Sequence, residues 1–105
     1  MKQLYLCGAI SGNPNYKKDF ERAYNKLHQA GYLAILNPVE FCNELKTWEN
    51  CMRKCLLILS QYEDLGIARI ETPYQSKGVE LEMQVAEALG YEIKTVDEWV
   101  KIWSK

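Results

Sequence analysis

The chain has a single histidine, His28, and its four cysteines, at positions 7, 42, 51 and 55, include no C-x-x-C pair. The usual zinc ligand sets are therefore missing, and no metal is expected. The cysteines read instead as small buried hydrophobes in a reducing compartment. Charge of one sign is also scarce. Thirteen Lys and Arg stand against 14 Asp and Glu, for a net charge of −1. That argues against a general electrostatic grip on polymeric nucleic acid, which needs a basic face, but leaves room for a single nucleotide as ligand. No apolar run approaches the roughly 20 residues of a membrane-spanning helix. Met1-Lys2-Gln3 leads directly into a strand-like segment and does not resemble a signal peptide. A cytoplasmic location is expected. There is no repeat, linker or low-complexity tract, so residues 1–105 read as one domain. A domain of this size buries only roughly two-thirds of its unfolded surface, which favours self-association into a homo-oligomer.

What is present is an alternation of strand-like and helix-like segments. Gln3 to Cys7 reads as a strand ending in Gly8-Ala9-Ile10-Ser11-Gly12. Asn13-Pro14 opens a helix whose stripe is Phe20, Ala23, Tyr24 and Leu27, and Gly31 ends it. Tyr32 to Leu36 is a second strand, stopped by Asn37-Pro38, and a loop follows. Thr47 caps a helix with the stripe Trp48, Cys51, Met52, Cys55, Leu56 and Leu59. Leu65 to Ile70 is a third strand, Glu71 to Lys77 a loop, and Gly78 to Leu89 a third helix closed by Gly90. Tyr91 to Lys94 is a fourth strand. Thr95-Val96-Asp97-Glu98 is a capping box that starts a last helix, with Trp99, Ile102 and Trp103 on its apolar side. The tryptophans are candidates both for covering the sheet and for an interface between subunits. The order implies a parallel four-stranded sheet between two helical layers, a flavodoxin-like α/β/α fold with strand order 2-1-3-4.

In such a sheet the ligand crevice lies beyond the strand C-termini, where the winding reverses. Here that point lies between strands one and three, at the loops Gly8 to Gly12 and Glu71 to Gly78. Glycines admit a close backbone approach, and helix N-termini attract anions. The first loop is neither G-x-G-x-x-G nor a P-loop. The third helix is more informative. Gly78, Leu81, Val85, Ala86 and Leu89 share one side, and Glu82 lies in their midst, while Glu80, Gln84 and Glu87 face the other way. A carboxylate on an apolar face beside a crevice costs several kcal/mol unless it is paired or serves a purpose. Glu82 is the candidate catalytic residue. The alternative is a structural carboxylate tied to backbone amides or to a tyrosine.

Tyr5-Leu6-Cys7-Gly8-Ala9-Ile10-Ser11-Gly12 resembles the first-strand motif of the nucleoside 2-deoxyribosyltransferase superfamily, above all its 2′-deoxynucleoside 5′-phosphate N-hydrolase branch. Ser76-Lys77-Gly78-Val79-Glu80-Leu81-Glu82 resembles that superfamily's motif leading to the nucleophilic glutamate. Asn37-Pro38 and Thr47 to Arg53 resemble an uncharacterised, often phage-borne branch. The resemblance implies cleavage or transfer of the N-glycosidic bond of a nucleoside or its 5′-monophosphate. Glu82 would be the nucleophile and Tyr5 its orienting partner. Gly8, Ala9, Ile10, Ser11, Gly12, Asn37, Ser76 and Gly78 would bind substrate, with no cofactor. Ser76 stands where the transferases carry aspartate and the phosphate-binding hydrolases carry serine, which points to a nucleotide. The chain departs from the hydrolase motif at Ala9 and Ser11, where that motif has serine and arginine. It also places Cys55 where the superfamily has a helper aspartate. Two rival functions stay open: a nucleotide-binding module without turnover, and an FMN-binding flavodoxin-like domain.

Overall fold

Nine elements follow one another in the computed structural model, which describes residues 2–103 with the side chain of Trp103 excepted. They are β1 (Leu4–Cys7), α1 (Tyr16–Ala30), β2 (Ile35–Leu36), α2 (Pro38–Cys42) and α3 (Trp48–Leu59), then β3 (Gly66–Arg69), α4 (Lys77–Ala88), β4 (Glu92–Thr95) and α5 (Val96–Trp103). The four strands form one parallel sheet in the order β2-β1-β3-β4, the expected α/β topology and one consistent with a flavodoxin-like fold.

β1 is central, and all four of its residues are buried. An unbroken apolar run is what a parallel strand covered on both faces requires. Successive side chains alternate between faces. Leu4 and Leu6 join Phe20, Leu27, Ala68 and Trp99 on the side of α1 and α5. Tyr5 and Cys7 join Cys55, Leu59, Ile67 and Ala86 on the side of α3 and α4. Gly66 in β3 is set by this packing. A Cβ there would come within 2.7 Å of Leu4 Cδ2 and 2.8 Å of the Trp99 ring.

Several boundaries differ from the sequence reading. α1 begins at Tyr16, because Asn13 is buried and uses its side chain to build the preceding turn. Its amide donates to the Ala9 carbonyl at 3.1 Å and to Asp19 at 3.0 Å, and its Oδ1 accepts from Asn15 N–H. Strand two shrinks to Ile35–Leu36, since the Tyr32 side chain turns into the core and donates to the Trp99 carbonyl at 2.7 Å. The segment expected as a loop after Asn37-Pro38 starts with the short helix α2, with Asn37 capping it by accepting from Val39 N–H at 3.1 Å.

The capping box at Thr95 and Glu98 is formed in both directions. Trp99 is core, with its indole N–H on the Ile67 carbonyl at 2.8 Å, so it covers the sheet and is not free for a subunit interface. Ile102, expected on the apolar side, is 54% exposed, and the Trp103 side chain lies outside the described residues. Leu89 is likewise half exposed, because α4 ends at Ala88 and the chain turns away at Gly90. Among the described residues no helix is long and apolar enough to cross a membrane.

Candidate active site

Glu82 sits in the second turn of α4 on the face turned to the sheet and is only 7% exposed. Glu80, Gln84 and Glu87 are exposed on the opposite face. Gly78 lets this helix start close to α3, since a Cβ there would lie 3.1 Å from Met52 Sδ. Ser76 is the N-cap, accepting from Val79 N–H at 3.3 Å.

Both carboxylate oxygens of Glu82 are engaged. The Tyr5 hydroxyl donates to Oε2, and the Cys7 thiol donates to Oε1 at 3.8 Å. Tyr5 and Cys7 are two residues apart on β1 and so reach the same face. Burial is the larger influence on Glu82 and opposes these hydrogen bonds, so its pKa rises from 4.5 to about 7. Burial thus makes this carboxyl hold its proton more tightly than an exposed glutamate does. Burial and the Glu82 charge also hold the Tyr5 hydroxyl and the Cys7 thiol well above their ordinary values, so both remain donors. Cys55, from α3, contacts the Tyr5 hydroxyl. Burial and Glu82 push its thiol up to about 12.

Glu82 lines a cavity of about 260 Å³ at the C-terminal ends of β1 and β2. Of the predicted binding residues, Gly8, Ile10, Ser11, Ser76 and Gly78 line it too. Four predicted residues do not. Tyr5 is wholly buried behind Glu82, and Ala9 is buried beside it in the chain. Gly12 occupies a left-handed turn at φ 79°, and the Asn37 side chain is spent on capping α2. The loop Glu71 to Gln75 does not line it either.

The opposite wall was missed in the sequence. It consists of α2, the turn after it and the first half of α3, including Val39, Lys46, Trp48 and Met52. Lys77 Nζ lies 5.3 Å from the centroid of the Trp48 ring. The one available signal was the stripe beginning at Trp48, which looked like core along its whole length. Only its C-terminal half packs on the sheet.

Three cysteines belong to this wall, and two of them are not the reduced, buried hydrophobes expected. Cys42 and Cys51 are joined in a disulfide, and Cys55 Sγ lies 3.7 Å from Cys42 Sγ. The unforeseen helix α2 is what carries Cys42 over α3.

Residues 2–95 match a family model described as a domain of unknown function, DUF4406. The chain belongs to the DUF4406 family. The match spans every element from β1 to β4, and so takes in Tyr5, Glu82, Ser76 and the three clustered cysteines. No curated protein matches the chain in sequence.

Proposed function

We propose that this DUF4406 domain cleaves or transfers the N-glycosidic bond of a nucleoside or its 5′-monophosphate, with Glu82 as nucleophile. One observation carries the reading. A buried carboxylate, held by a tyrosine hydroxyl, borders a small and largely apolar cavity at the strand C-termini. The resemblance of the segments around Tyr5 and Glu82 to the nucleoside 2-deoxyribosyltransferase superfamily supports it, as does their meeting at one site.

In this reading an ionised Glu82 oxygen attacks the anomeric carbon. The bond from that carbon to the base nitrogen breaks, and its electron pair leaves with the base, which takes up a proton. A glycosyl ester of Glu82 remains. Water or a second base then displaces the carboxylate, which is restored. Trp48 and Tyr16 offer aromatic surface to a base. Lys46 and the Ser76 hydroxyl offer a charge and a donor to a phosphate. The cavity falls below the roughly 300–1,000 Å³ of pockets that engulf drug-sized ligands, which favours one base and sugar over a flavin. The same reading has the domain self-associate in the cytoplasm, with light scattering at micromolar concentration as its check.

A specific observation favours one rival. Cys55 stands beside Tyr5 where the superfamily has a helper aspartate, and a neutral thiol cannot position a sugar as a carboxylate does. That arrangement suits binding without turnover. The deciding experiment incubates the protein with a panel of deoxynucleosides and their 5′-monophosphates and measures free base. Glu82→Gln should abolish base release while keeping ligand affinity within about tenfold, or roughly 1.4 kcal/mol. Glu80→Gln should change neither. Binding without base release hands the site to the binding module, and equal release by both variants removes Glu82 as the nucleophile.

A further inference from the structure

The disulfide and the adjacent thiol form a cluster that the glycosidic chemistry does not use. The sulfurs of Cys42, Cys51 and Cys55 all lie within 4.8 Å of one another. Cys51 and Cys55 are one turn apart on α3 and share a side of it. Cys42 ends α2 and reaches them from above. All three line the cavity. Cys7, the remaining cysteine, is buried beneath Glu82 and is not part of the group.

We propose that Cys42, Cys51 and Cys55, once the Cys42–Cys51 disulfide is reduced, bind a thiophilic divalent cation of the zinc class. The spacing carries the argument. A tetrahedral ion with metal–sulfur bonds of about 2.3 Å sets its sulfurs roughly 3.8 Å apart. Cys42 and Cys55 already stand at 3.7 Å. Cys51 departs from that arrangement in two ways, being bonded to Cys42 and standing farther from Cys55, within 4.8 Å of it. Cutting the bond frees its side chain to turn toward the same spacing from both. Three protein ligands leave a fourth position, and because the cysteines line the cavity, that position opens into it.

The steps balance. A dithiol reductant gives up two electrons and two protons and becomes a disulfide, while Cys42 and Cys51 become thiols. The cation then displaces the thiol protons of Cys42, Cys51 and Cys55 into solvent, so its binding strengthens as pH rises. The consequence concerns the cavity wall. α2 has five residues and packs mainly on α3. The disulfide ties it down under oxidising conditions, and the cation would do so under reducing ones.

The test uses the full chain and reads binding, so it stands apart from the glycosidic reading. The chain is fully reduced, freed of reductant without air, and titrated with Co²⁺ and then Zn²⁺. The expected result is thiolate-to-cobalt charge-transfer absorption saturating at one ion per chain and lost when Zn²⁺ displaces cobalt. The disulfide form should give no such band. Cys42→Ser and Cys55→Ser should each weaken binding by at least about tenfold, and Cys7→Ser should leave it unchanged. A reduced wild-type chain with no charge-transfer band overturns the proposal without recourse to any variant. So does equal binding by the oxidised chain, or an equal loss in Cys7→Ser and Cys55→Ser.

Discussion

The two faces of β1 come from alternate residues of one short strand, yet they bury different chemistry. On the side of Leu4 and Leu6, the Tyr32 hydroxyl and the Trp99 indole N–H each bond to a backbone carbonyl. On the side of Tyr5 and Cys7, the hydroxyl and the thiol bond to the side chain of Glu82. A buried donor that ends on backbone fixes the fold, because its acceptor has no other state. A donor that ends on a carboxylate also sets that group's proton affinity. The first face serves stability, and the second spends some of it on holding a titratable group out of water.

The largest expected effect lies on the apolar face. Phe20 is 1% exposed and packs in the cluster of Leu4, Leu6 and Trp99. Phe20→Ala removes a ring from a close-packed interior and should destabilise the domain by about 3–5 kcal/mol. A urea melt measures this as a lowered midpoint with unchanged slope. A loss below about 1 kcal/mol would mean that this face is not the one that holds the domain together.

A smaller effect of opposite sign is expected across the sheet. Glu82 binds its proton more tightly in the folded state, at about 7, than at the 4.5 of an unperturbed glutamate. Between those values the folded chain holds more protons than the unfolded one, so stability falls as pH rises. The interval from 4.5 to about 7 is worth on the order of 3 kcal/mol of stability, present below pH 4.5 and lost above about pH 7. Glu82→Gln cannot ionise. In the disulfide form it should be more stable than wild type at about pH 8, by up to about 3 kcal/mol, with the gain vanishing near pH 4. A gain that is the same at both values would remove Glu82 titration as its cause.

These two faces were unequally legible in the sequence. Parallel order and both helical layers follow from periodicities that survive folding, such as the stripe Phe20, Ala23 and Leu27. Glu82 stood out because a carboxylate on an apolar stripe conflicts with its neighbours, and such a conflict can be seen without coordinates. The α2–α3 wall could not be seen. A five-residue helix has too few turns to show a period, and without it Cys42 has no reason to meet Cys51 and Cys55. Asn37, expected to bind substrate, instead caps α2 through its Oδ1 and does not line the cavity. An asparagine before proline serves a helix cap as readily as a ligand, and only the fold decides between them.

The smallest effects give the finest test of the comparison, because one kind of interaction occurs at both helix starts. Thr95 caps α5, which packs on the apolar face, accepting from Glu98 N–H at 3.2 Å. Ser76 caps α4, on the other face, accepting from Val79 N–H at 3.3 Å. Replacing either by alanine removes one partner from an orphan helix N–H and should cost about 1 kcal/mol of stability. On stability alone the two should be alike. They differ in that Ser76 lines the cavity beside Glu82 and Thr95 does not. The Ser76 hydroxyl keeps its proton while its oxygen caps the helix, so it can donate to a phosphate at no loss to the cap. Ser76→Ala should therefore weaken binding of a 5′-monophosphate by about tenfold, as loss of a hydrogen bond to a charged group does. Binding of the corresponding nucleoside should hardly change. Thr95→Ala should leave both affinities where they were. Calorimetric titration of the two ligands into the two variants measures all four changes. If Ser76→Ala lowers both affinities equally, the serine acts through the position of α4. If it lowers neither, Ser76 is a cap of the same kind as Thr95, and the phosphate must be sought at Lys46.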